Sequence, residues 1–161
     1  MIRGHINRAA IGLPVQRAQV ENLYVEAMLL ADEAYTAFAT QRGAFAHDAR
    51  RGADDSLLQV SLACESLKTT TRLMHIIAWL LHRRAMIAGD PGAGPDDSAA
   101  RIGEPVAADW AICDRLDGSL QRIVAASERL FERIAALETG WESPLAVTPV
   151  QAMLAQLEAR L

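Results

Sequence analysis

The stretch from Asp54 to Ala88 is apolar around most of a helix, and that limits what the whole chain can become. Val60, Cys64, Leu67, Thr71, Met74, Ala78, Leu81 and Ala85 recur at alternating four- and three-residue steps, the spacing of one helical stripe. That stripe is expected to face a bundle core. Leu62, Leu73, Ile76, Ile77 and Leu80 carry apolar surface round toward the other side. Such a helix has to be covered from two directions. A three-helix bundle supplies this in part, and a second copy or a docked tail would supply the rest. A membrane span is not expected. The apolar run lies between Arg72 and His82 and contains a histidine, whereas crossing a bilayer takes about 20 predominantly apolar residues.

The helix has clear ends. Asp54, Asp55 and Ser56 suit the free amides and positive pole of an N-terminus, and GDPGAGPDD begins at Gly89. An earlier helix is expected from Pro14, a first-turn residue, to about Thr40. Its stripe is Val20, Leu23, Ala27, Leu30, Ala34 and Ala37, widened by Tyr24, Met28, Ala31, Tyr35 and Phe38. The following QRGAFAHDARRGADD, with two glycines and clustered charge, reads as a connection.

A third helix is expected from about Val106 to Thr139. Cys113, Leu116, Leu120, Ile123, Ser127, Leu130, Ile134 and Leu137 form a seam broken only at Ser127, with a mean step of about 3.5. Asp117, Arg122, Glu128, Arg129, Glu132 and Arg133 are assigned to its outer face. Gly89 to Pro105, rich in glycine, proline and aspartate, reads as a flexible exposed linker. Near the end, Val150, Met153, Leu154, Leu157 and Leu161 share a stripe. That tail is too short to be helical unless it docks on the bundle, pairs with another protomer or meets a partner.

The expected fold is therefore all-α, an antiparallel three-helix bundle over residues 14–140 with helices at about 14–40, 54–88 and 106–139. Residues 1–13 form a flexible N-terminal segment, a Gly/Pro-rich loop follows the central helix, and 141–161 make a short C-terminal helical tail. The 161 residues suit one domain, and aromatics at 5% favour packed helices over sheets. A formal charge of -4 disfavours nucleic acid as a partner. The opening MIRGHINRAAIGLP lacks the apolar core of an export signal, and Cys64 and Cys113 on apolar stripes fit a reducing cytoplasm.

One strip of the central helix stands out. Glu65, Arg72, Trp79 and Met86 are spaced by seven, flanked by Lys68, His75 and His82 at the same spacing. With Arg83 and Arg84, the residues Glu65, Lys68, Arg72, His75 and Trp79 are the candidates for binding a partner, because Trp and Arg are enriched at interfaces. The bland alternative is a solvated charged face with Trp79 partly buried. Thr69, Thr70 and Thr71 are expected to fill narrow spaces or bond back to the preceding turn.

Catalytic chemistry is not visible. His75 and His82 lie two turns apart, roughly 10 Å of rise, too far for two ligands of one metal. No P-loop, dinucleotide glycine pattern, Cys-x-x-Cys or His-Glu-x-x-His occurs. Asp54 and Asp55 read as a cap. The expectation is a protein that is not an enzyme and takes no metal or cofactor.

The segment ESLKTTTRLMHIIAWLLHRRA, Glu65 to Ala85, is more specific. It resembles the central helix of the alphaproteobacterial family called regulator of CtrA degradation, RcdA. The places that match are Glu65, Ser66, Thr70, Thr71, Arg72, Leu73, Met74, Trp79, Leu80, Leu81, Arg84 and Ala85. Elsewhere the resemblance rests on length, helix order and the loop after the central helix. It implies a homodimeric three-helix adaptor for the ClpXP protease, delivering cell-cycle regulators such as the response regulator CtrA. The tail departs from the family pattern by its apolar stripe. The alternative is a dimeric scaffold or transcription-associated regulator, motivated by Arg50, Arg51, Lys68, Arg72, Arg83 and Arg84, and it requires salt-sensitive DNA binding.

Overall fold

The computed structural model describes residues 8–47 and 52–142. These form α1 (Arg8–His47), α2 (Ala53–Ala88), a short 3₁₀ turn (Ser98–Ala100), the single-turn α3 (Trp110–Cys113) and α4 (Gly118–Glu142), with no strand among the described residues. The chain is all-α, and its three long helices all touch one another.

Ion pairs and hydrogen bonds fix the helix directions. Arg84 at the end of α2 bonds Glu21 near the start of α1 (2.7 Å), so these two run antiparallel, as expected. Arg133 of α4 reaches Glu26 (2.6 Å), while Leu137 shares a groove with Gln19 and Leu23, so α1 and α4 also run antiparallel. Arg72 meets Ser127 and, two turns on, Trp79 meets Glu138, so α2 and α4 run parallel. The reason is the connection between them, which travels the length of α2 before α4 begins.

That connection is mostly exposed, as the composition suggests, but it is pinned to the helices at intervals. His82 Nε2 lies 2.9 Å from the Gly94 carbonyl, Ala100 and Ile102 are buried, and the path continues to Cys113 beside Glu65. It is a strap laid along the α2/α4 seam. The strap breaks the expected helix from Val106 to Thr139 in two. Val106 to Asp109 lie outside any helix, α3 makes one turn, and α4 starts afresh at Gly118. Asp117 caps α4: its carbonyl accepts from Gln121 N–H and its carboxylate accepts from Ser119 N–H (2.8 Å). The Ser119 hydroxyl and amide also hold the Asp117 carboxyl below its usual pKa.

The ends of α2 match expectation, with the difference that helix starts at Ala53 and Asp54 and Asp55 occupy its first turn, where they complement the dipole. Gly89 ends it in the left-handed region (φ 76°), with Asp90 N–H to Ala85 O and Gly89 N–H to Met86 O closing the last turn. α1 is longer than expected at both ends. It begins before Pro14 and passes through Gly43, because Phe45 packs against the core and draws the helix on past a poor helix former. The tail and Arg50 and Arg51 lie outside the described residues.

The α1 stripe is buried or half-buried along its length, with Met28 and Tyr35 on the outside. The α4 seam holds from Cys113 to Ile134, Ser127 included. The assignment of α2 is corrected. Val60, Cys64, Leu67, Met74, Ala78 and Leu81, assigned to the core, are exposed, Leu67 at 68% and Met74 at 63%. What faces inward is Leu62, Glu65, Thr69, Arg72, Leu73, Ile76, Trp79 and Leu80. Both faces of the helix are apolar enough to be buried, so periodicity does not choose between them; the polar groups on the strap and α4 do.

Candidate functional site

The inward face of α2 presents polar side chains to the main chain of the strap. Arg72, wholly buried, donates through Nε (3.0 Å) and Nη2 (2.6 Å) to the Val106 carbonyl and through Nη1 to Ser127 Oγ. Glu128 lies 3.7 Å from the same guanidinium and accepts from Ala108 N–H (2.9 Å) and the Trp110 indole (2.9 Å). Burial lowers the pKa of Arg72, and Glu128 and Glu65 oppose that shift. The side chain is charged through the neutral range, with its donors directed at oxygens.

Trp79 closes the upper part of the seam. Its indole N–H is shared between the Ala100 carbonyl (3.1 Å) and Glu138 (2.8 Å), and Glu138 also accepts from Ile102 N–H (2.9 Å). The ring stacks on Trp141 at 5.7 Å, and the Arg83 guanidinium lies over both rings at 5.1 and 5.5 Å.

Glu65 closes the lower part, accepting from Lys68 (2.7 Å), Asp109 N–H (3.3 Å) and the Cys113 thiol (3.6 Å). The bond to Glu65 raises the pKa of Lys68. Burial and the neighbouring Glu65 push the Cys113 thiol up to about 12, so it is a neutral donor rather than a nucleophile near pH 7.

Five strap backbone groups, at Ala100, Ile102, Val106, Ala108 and Asp109, are thus held by side chains of α2 and α4. A buried unpaired carbonyl or amide costs about 1–3 kcal/mol, so pairing these groups lets an irregular segment lie against the seam between α2 and α4. Thr69 fits the narrow space between Glu65 and Arg72. Its Oγ1 has no partner among the described residues, while Thr70 bonds back to the Ser66 carbonyl.

The seven candidate partner-binding residues therefore divide. Glu65, Arg72 and Trp79 are at most 1% exposed and hold the fold together, which corrects the view of them as a line left over by burial. Arg83 is half-buried on the tryptophan pair. Lys68 is tied to Glu65, and Arg84 is tied to Glu21 and lies over Tyr24. His75 is exposed. The basic cluster of the DNA-binding alternative is dispersed, since Arg72 is interior and Lys68 and Arg84 are ion-paired.

Glu128 and Glu138, which also hold the strap, carry no signal in the sequence, while Cys113, expected on the seam, is buried there and bonds Glu65 as well. Glu128 was assigned to the outer face of its helix, but the strap passes over it. Ser127, the one break in the α4 seam, was the available signal, because a hydroxyl in an apolar seam needs a polar partner.

What remains free is the outward face of α2. Leu57, Val60, Leu67, Met74 and Leu81 are 44–68% exposed, and Met74 faces Tyr35 of α1 across a groove of about 300 Å³ that Phe38 and Leu73 also line. Among the described residues, no three His, Cys, Asp or Glu side chains are grouped to hold a metal, and no helix is long and apolar enough to cross a membrane. A family model described as "Protein of unknown function (DUF1465)" matches residues 14–161, and the chain belongs to that family. No curated protein and no solved structure matches it.

Proposed function

We propose that this chain is a non-enzymatic cytoplasmic adaptor in regulated proteolysis, a homodimer that delivers cell-cycle regulators such as a CtrA-like response regulator to ClpXP. The observation that carries the reading is the outward face of α2. A heptad stripe from Leu57 to Leu81 leaves its large apolar side chains in solvent, while Glu65, Arg72 and Trp79 of the same helix are engaged inside. The stripe is roughly 36 Å long, and with the width of two helices it offers roughly 700 Å². That is close to the 800 Å² or so per partner of a standard interface. A surface of this kind supports association with protein. The resemblance of Glu65 to Ala85 to the RcdA family supplies the protease and the class of client.

An adaptor acts by holding client and protease together, which raises the local concentration of one at the other and needs no reacting side chain. Purified ClpXP is expected to degrade a CtrA-like regulator faster when the chain is added. Unchanged half-lives across a panel of response regulators, in vitro and in a deletion strain, would reject the adaptor role. Sedimentation tests the dimer separately: the expected mass is about 35 kDa, twice the 17.5 kDa of one chain, and a species of 17.5 kDa at tens of micromolar would reject it.

A further inference from the structure

α1 and α4 touch but leave an open groove between them. Leu23, Ala136 and Leu137 floor a groove of about 490 Å³ with Gln19 and Asn22 at its rim, and the Glu26–Arg133 ion pair stands at its far end. Toward the near end, where α4 reaches Glu142, the same face of α1 exposes Val15, more than half accessible. From Val15 to Glu26 this track is roughly 17 Å long. It is separate from the outward face of α2.

Nineteen residues follow Glu142, numbered 143–161. Their sequence carries a helix start, Thr148-Pro149-Val150-Gln151, in which Thr148 suits the cap, Pro149 the first turn and Gln151 the reciprocal bond of a capping box. Val150, Met153, Leu154, Leu157 and Leu161 then fall on one side. A helix of this length has no stability of its own in water, so its apolar side needs a surface. From Val150 to Leu161 it would be roughly 18 Å long, which matches the track. The seven residues 143–149 reach up to about 23 Å extended, enough to reverse direction at the end of α4.

We propose that residues 150–161 lie in the α1/α4 groove of their own chain as a fourth helix, antiparallel to α4, and so complete a four-helix bundle. In that direction Val150 meets the Val15 end, and Glu158 and Arg160 arrive beside Arg133 and Glu26, where each finds an opposite charge. The inference is independent of any role in proteolysis.

Hydrogen exchange read by mass spectrometry on the full chain tests it. The amides of 150–161 are expected to exchange about tenfold or more slowly than in an unstructured peptide, equally at low and high protein concentration. Ala136→Glu, at an exposed groove position, should restore the unprotected rate in 150–161 and leave α2 protection intact. Leu154→Glu with Leu157→Glu should do the same from the tail side, so one poorly behaved variant does not decide the matter. Unprotected amides in the wild type would overturn the proposal. So would protection indifferent to Ala136→Glu, which puts the tail on another surface, or protection lost on dilution, which assigns the groove to the tail of a second copy.

Discussion

The two faces of α2 invert the usual order of burial. Its inward face carries a glutamate, an arginine and a tryptophan at seven-residue spacing, each at most 1% exposed, while Leu67 and Met74 stand in solvent on the other side. Apolar area alone does not choose between the two faces. The decisive difference is that Glu65, Arg72 and Trp79 each find partners on the strap or α4. Burial here follows the supply of matched hydrogen bonds as much as hydrophobicity.

The largest test of that contrast is Arg72→Ala. It leaves the Val106 carbonyl and Ser127 without their donor and the nearby Glu65 and Glu128 without their buried counter-charge, so a loss of about 3–5 kcal/mol is expected in urea unfolding. A loss under about 1 kcal/mol would mean that the strap is held without Arg72. Next is Trp79→Phe, which keeps a ring against Trp141 but removes the indole donor shared by Ala100 and Glu138. A cost of about 1–3 kcal/mol is expected, with faster amide exchange at Ile102 and unchanged protection in α1. Uniform loss of protection would show that Trp79 acts by packing alone.

The contrast also marks what sequence can reveal. The α4 seam was legible because its apolar residues have charges opposite them, so only one orientation is possible. The stripe on α2 is visible as a stripe but faces away from the core, because the helix's inward face is defined by partners 34 and 59 residues away. No local pattern carries such pairings. The strap was hidden for the same reason: its glycines and prolines describe a chain without regular structure, and only Arg72, Trp79, Glu128 and Glu138 show why it is nevertheless fixed to the seam. Seven-residue spacing of Glu65, Arg72 and Trp79 did signal a common role, which is to hold the strap.

The groups that meet the inward face give it a pH signature. Cys113 stays protonated in the fold up to about 12, against an ordinary value of 9.0. Its folded pKa is raised, so its contribution is fully present below pH 9 and is lost as pH rises toward 12, at about 1.4 kcal/mol per unit. Lys68, also raised, loses its contribution above its ordinary 10.5. Unfolding free energies at pH 8, 9.5 and 10.5 should therefore fall more steeply for the wild type than for Cys113→Ala. Parallel curves would show that the Glu65–Cys113 contact does not persist in solution.

The smallest effect on chain stability is expected where hydrophobicity alone predicts the largest. Leu67→Glu with Met74→Glu places two carboxylates at the centre of the apolar stripe, and a core position so treated would not fold. Because both side chains face outward, the monomer should change by no more than about 0.5 kcal/mol per site. The cost should appear in sedimentation instead, as a shift from the expected dimer to the monomer mass. If the double variant unfolds even at concentrations where the wild type is already monomeric, the outward face is structural within one chain and the inversion described for α2 is wrong. If it stays folded and its mass matches that of the wild type, the fold is upheld and this face does not join two copies.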